Sequence, residues 1–151
     1  MVTIMKKNEL LSDLALLIGE WKTVVYNASF LSDRLSKLNG KTLFEWFEEQ
    51  TFLIMRSGVE GDGPPNVVAI ISGDDTNKQY QMLYYDERGV SRIYNMSFEN
   101  DTWKLWRDSS KFSQRFEGKL SADRKTINAS WVNSTDGKTW QHDFNIDYHK
   151  A

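Results

Sequence analysis

Hydrophobic positions change period along this chain, and the changes mark its elements. Over 8–18 they fall at Leu10, Leu11, Leu14, Leu17 and Ile18, the one-sided stripe of a short helix. Asn8 is placed to cap that helix, and Gly19 ends it where glycine tolerates a positive φ. Trp21, Thr23 and Val25 then alternate with Lys22, Val24 and Tyr26, predicting a first strand. Leu31, Leu35 and Leu38 return at helical spacing, with Ser32 or Asp33 as cap and Asn39-Gly40 as stop. They predict a second short helix, lying across a mouth of the fold or tucking its leucines against the outer wall.

From Lys41 the period is two. Strands are expected at 41–49, 51–60, 66–73, 78–86, 89–98, 102–108, 111–121, 126–134 and 139–149. Turn-forming runs separate them, among them Gly61-Asp62-Gly63-Pro64-Pro65, Asp86-Glu87-Arg88-Gly89, Asn100-Asp101 and Asp136-Gly137. Connections this short require antiparallel neighbours, because a parallel crossover takes a dozen or more residues. Ten strands joined this way form a meander, and closing the sheet removes its exposed edges. The expectation is an all-β fold: a closed antiparallel meander barrel in one domain spanning 1–151, with a helix before and after the first strand.

One parity of each strand must line the interior. Trp140, His142, Phe144, Ile146 and Tyr148 form the apolar set of the last strand, opposed by Gln141, Asp143, Asn145, Asp147 and His149. Elsewhere the inward sets read Val90, Arg92, Tyr94, Met96 and Phe98; Trp103, Leu105 and Arg107; Phe112, Gln114, Phe116, Gly118 and Leu120; and Ile127, Ala129, Trp131 and Asn133. Over 41–60 both parities carry large apolar residues, and the register stays open. Val67 to Ile71 is apolar on both faces, which predicts a covered outer side, with the 31–38 helix as the candidate cover.

Polar residues on inward parities are the candidate chemistry: Arg92, Arg107, Gln114, Asn133 and His142, with Arg56 and Tyr84 as further candidates. A buried charge costs several kcal/mol unless it is paired. An inward arginine therefore calls for a carboxylate, a ligand, or a place at the rim within reach of water. His142, between Trp140 and Phe144, reads as a hydrogen-bonded structural histidine or as an acid–base group.

Composition supports β structure, since 6 Trp, 6 Tyr and 8 Phe in 151 residues suit strands. The absence of Cys excludes disulfides, thiolate metal sites and a cysteine nucleophile. A net charge of −2, with Lys and Arg scattered among acids, gives no basic footprint for nucleic acid. Neither a secretory apolar run nor a transmembrane stretch is visible, so a cytoplasmic protein is expected.

Gly19-x-Trp21 after a short helix resembles the GxW signature of lipocalins and their calycin relatives, where the tryptophan packs across the closed barrel end. The Asp136-Gly137-Lys138-Thr139-Trp140 hairpin and the 74–89 stretch look like a bacterial family of small lipocalin-like barrels of unassigned function. The resemblance implies a barrel with an apolar cavity. The similar nitrobindin-like barrels hold haem through one histidine near the C-terminus, a role that His142 or His149 would have to fill.

No HExxH, GxSxG or phosphate-binding loop is present. The expected function is binding of a small, largely apolar molecule, anionic ones included, with no cofactor or metal, by a monomer or homodimer. Trp103, Trp131, Trp140, Tyr94, Phe112, Phe116 and Met96 are expected to line the cavity, and Arg92, Arg107, Gln114 and His142 to orient a polar group. The rival reading is a cavity enzyme of isomerase or cyclase type, with His142 or a glutamate as acid–base.

Overall fold

The computed structural model describes residues 8–49, 51–61 and 63–151. A 3₁₀ helix, Glu9–Leu17, precedes ten strands: β1 (Gly19–Tyr26), β2 (Leu38–Phe47), β3 (Phe52–Val59), β4 (Val67–Asp74), β5 (Gln79–Asp86), β6 (Ser91–Glu99), β7 (Thr102–Arg107), β8 (Ser113–Leu120), β9 (Thr126–Ser134) and β10 (Gln141–Lys150). Each pairs antiparallel with its sequence neighbours, and β1 pairs with β10 to close the barrel.

The opening helix winds tighter than its stripe suggests, at three residues per turn. That winding stacks Leu11, Leu14 and Leu17 into one fully buried row. Asn8 accepts from the Leu10 N–H and donates through Nδ2 to the Gly73 carbonyl at 2.8 Å. At the other end Trp21 Nε1 donates to the Leu17 carbonyl at 2.8 Å, while Lys150 Nζ reaches the Leu16 carbonyl and lies 5.0 Å from the Trp21 ring centroid. Trp21 therefore ties plug, first strand and last strand together at one end of the barrel.

The second helix does not form. Residues 27–37 run as turns: Asp33 accepts from the Leu35 N–H, the Ser29 N–H donates to the Asp143 carbonyl at 2.7 Å, and Leu35 is 88% exposed. The Asp33 carboxylate bonds to nearby backbone and competes with helix formation, Ser29 is held by the distant Asp143, and Leu38 is already part of β2. The outer side of Val67–Ile71 consequently has no cover from this segment, and Val68 is exposed.

The open register of 41–60 resolves to Thr42, Phe44, Leu53 and Met55 inside, with Leu43 and Phe47 outside. Arg56, a candidate inward cation, points out and pairs with Glu45. Gly40 is set by close approach: a Cβ there would sit 2.2 Å from the Gly58 carbonyl oxygen and 2.9 Å from Thr23 Oγ1.

On β10 the register shifts between His142 and Phe144: His142 faces Val132, Phe144 faces Trp131, and Asp143 is the extra residue. An inserted residue reverses the parity before it. Phe144, Ile146 and Tyr148 keep the expected inward side. Trp140 and His142, expected beside them, lie off the interior for this reason.

Candidate functional site

The barrel is hollow at the end away from the 3₁₀ helix, with a cavity of about 440 Å³. That lies within the range of small-molecule pockets, roughly 300–1,000 Å³. Its walls come from inward positions of the strands, and its mouth from Phe30, Gly63, Pro64, Pro65, Arg88 and Phe112 in the connections.

Aromatic rings form much of the wall, most of them placed by strand alternation and Phe30 by the connection after β1. Trp103 meets Phe116 edge-on at 4.7 Å, Phe116 meets Trp131 at 5.0 Å, and Trp131 meets Tyr94 at 5.6 Å. Tyr84 extends the chain, 5.8 Å from Tyr94, and Phe144 carries it on from Trp131 to Phe30. These edge-to-face and tilted contacts hold the rings in fixed orientations.

Polar groups gather near the mouth. Tyr94 Oη donates to Gln114 Oε1 at 2.7 Å, and Arg92 Nη1 donates to the same oxygen at 3.2 Å. Two donors on one oxygen fix the amide, so its NH₂ is turned away from them. Arg92 also lies 5.2 Å from the Phe112 ring centroid. Among the described residues neither Arg92 nor Arg107 has a carboxylate within 4.0 Å, whereas Arg88 is paired with Asp86 at 2.8 Å.

The Asp86 side chain has no exposed surface and also accepts from Tyr84 Oη at 2.7 Å. The hydrogen bonds from Arg88, and then that from Tyr84, hold its carboxyl well below the usual carboxylate range against the cost of burial. Burial pushes the Tyr84 phenol up, helped by the bond to Asp86, and burial also raises Tyr94. These groups are phenols and locked ions at neutral pH, suited to binding and orientation.

The structure brings together Arg92, Tyr94, Trp103, Phe112, Gln114, Phe116 and Trp131 around the cavity. It leaves four expected members outside. Met96 is inward but buried in the core and does not line the cavity. Arg107 stands at the rim, where the register sets it opposite Gln114 and a surface hollow holds it with Arg92 and Asp108. Trp140 lies on the outside, its ring centroid 4.0 Å from the Arg115 guanidinium carbon. His142 contacts the Asn27 carbonyl at 3.2 Å, beside the bulge.

His149 pairs with Lys22 on the outward parity and is exposed. No histidine is therefore among the described lining residues, and the side chains present do not fit a haem held by His142 or His149. For the enzyme reading, His142 is off the cavity, Glu45 is engaged outside by Arg56, and Glu48 sits in an exposed turn.

Of the residues that the sequence reading missed, Val25 and Met82 line the cavity at readable inward parities, Met55 and Val67 at parities that the pattern leaves open, and Phe30, Pro64 and Pro65 from the loops. Asp143, expected outward, lines it as well because the bulge turns it to the cavity. That reading also missed the Tyr84–Asp86–Arg88 cluster, whose acid and base lie in a run that reads as an ordinary turn.

No protein-family model matches the chain, and no curated protein matches it. Among solved structures, that of Rv2717c from M. tuberculosis is similar, with a TM-score of 0.64 over 97% of this chain and 99% of that one. The two sequences are 12% identical, so the likeness is one of fold. Among the described residues no helix is long and apolar enough to cross a membrane.

Proposed function

We propose that the chain is a calycin-like barrel that binds a small, largely apolar molecule carrying an anionic group. The ligand's body lies among Phe116, Trp131, Tyr94 and Phe144, and its head group meets Arg92 and the free NH₂ of Gln114 at the mouth. The supporting observation is the pairing of charges: Arg88 has its carboxylate in Asp86, while Arg92 reaches the cavity without one. An apolar pocket with a few fixed polar groups is the usual form of a small-molecule site.

Fluorescence titration with anilinonaphthalene sulfonate, an aromatic anion, tests this reading. Saturable binding at one probe per barrel is expected. It should be lost when Leu105→Trp fills the cavity, with folding checked by circular dichroism. Non-saturable binding, or binding indifferent to that filling, would contradict the reading.

A further inference from the structure

Tyr148 stands at the closed end of the cavity. It lies on the inward parity of β10 opposite Thr23, one inward step from the Trp21–Lys150 pair beside the 3₁₀ helix. Its ring packs against Trp103 with centroids 6.0 Å apart, and the residue is only 6% exposed. Among the described residues its hydroxyl has no hydrogen-bond partner, whereas Tyr80, Tyr84 and Tyr94 each donate theirs. Two polar atoms of its neighbours, Trp103 Nε1 and Thr23 Oγ1, also lack partners, but packing seals both of them in. The Tyr148 hydroxyl is not sealed in this way, so the little surface it keeps opens on the cavity. Burial pushes the phenol up, and it stays an O–H that can both donate and accept.

In the free protein, water can serve such a hydroxyl. A ligand with an apolar end would expel that water and strand the hydroxyl, at a cost of about tenfold in affinity. A ligand that brings its own hydrogen-bonding group avoids the loss, and a site of this kind selects for it. The cross-strand neighbours of Tyr148, Thr23 and Ile127, carry no charge. A charge brought there would be buried unpaired, so the matching group is neutral.

Resting on the anion-binding reading of the mouth, we infer that the closed end is a second polar subsite centred on Tyr148 Oη, and that the ligand is an aromatic hydroxy acid. Its carboxylate meets Arg92 and Gln114, its rings lie between Phe116 and Trp131, and its hydroxyl meets Tyr148. The wall sets the spacing of the two groups. Gln114, at the mouth, and Gly118, opposite Trp103, are four residues apart on β8. At about 3.4 Å per residue, on strands tilted about 40° from the axis, mouth and floor lie roughly 10 Å apart. A naphthalene bearing its two groups at opposite ends fits such a span.

Isothermal titration calorimetry of the full chain with 6-hydroxy-2-naphthoate and 6-methyl-2-naphthoate decides the matter. The two anions share ring and charge and differ little in size, but only the first offers the floor a hydrogen bond. The hydroxy acid should bind more tightly, although a purely apolar floor would favour the methyl. Tyr148→Phe should weaken the hydroxy acid about tenfold and leave the methyl acid as tight or tighter. The Tm of the free variant should not fall, because the hydroxyl holds no other group of the protein. Arg92→Met should weaken both acids alike, which reports on the mouth separately. Tighter binding of the methyl acid by the native chain, or an affinity ratio unmoved by Tyr148→Phe, would overturn the inference. The reading of the mouth would still stand if Arg92→Met weakened both acids. Failure of either acid to bind would remove that reading and the inference together.

Discussion

Replacing Arg92 by Met separates the anionic part of the proposed binding from the apolar part. Methionine keeps an unbranched apolar stem beside Phe112 and removes the charge and the donor to Gln114. Gln114 retains its 2.7 Å bond from Tyr94, so the amide stays oriented. A hydrogen bond to a charged group contributes about 1.5–3 kcal/mol when well shielded. Arg92 is half-buried at the mouth, and Arg107 remains nearby, so the low end applies. About 1.5 kcal/mol is a little over tenfold in affinity. Titration with anilinonaphthalene sulfonate and with uncharged N-phenylnaphthylamine reads the difference. The anion should lose about tenfold, the neutral probe less than about twofold, and the anion's advantage in the native protein should shrink as salt rises. Equal losses for both probes would refute the reasoning, because Arg92 would then be acting through packing. No loss for the anion would place its head group elsewhere.

Three other outcomes follow from the geometry. His142→Ala should leave the affinity of either probe unchanged, since the imidazole lies beside the bulge and outside the cavity. Gly40→Ala should lower stability by about 1–3 kcal/mol, or roughly 3–10 °C in Tm, because its Cβ would meet backbone that cannot turn aside. Asp136, held at about 2 by the N–H groups of Thr139 and Lys138 and by the Ser134 hydroxyl, should titrate by carboxyl NMR well below the ordinary 3.8. Its folded value is depressed, so its contribution to stability is fully present above the ordinary carboxylate range and is lost as pH falls towards 2.

The barrel was legible because its information is local. Period-two alternation and short turns dictate antiparallel neighbours, and ten of them leave closure as the natural end. Seven of the eleven proposed ligand contacts sit around the cavity: parity alone turns Arg92, Tyr94, Trp103, Gln114, Phe116 and Trp131 inward, and Phe112 reaches it from the connection just before β8. What parity cannot carry is a change of parity. One extra residue at Asp143 sends Trp140 and His142 away from the interior, and nothing in Gln141-His142-Asp143-Phe144 announces it. Distance along the axis is equally silent. Met96 points inward as expected but lies in the closed core, and Arg107 ends at the rim. The leucines of 31–38 carry helical spacing, but spacing is silent about the local turn at Asp33 and about the long-range hold of Asp143 on Ser29.

The most direct test of the central claim uses the tryptophans as built-in reporters, in a two-dimensional NMR titration of the indole N–H signals with anilinonaphthalene sulfonate. Trp131 and Trp103 line the cavity, whereas Trp140 and Trp106 belong to the outer surface beside Arg115. The account predicts that the first two signals shift and saturate together while the last two stay in place. Movement of Trp140 and Trp106 with Trp131 and Trp103 unchanged would put the ligand on the outside of the barrel and contradict it.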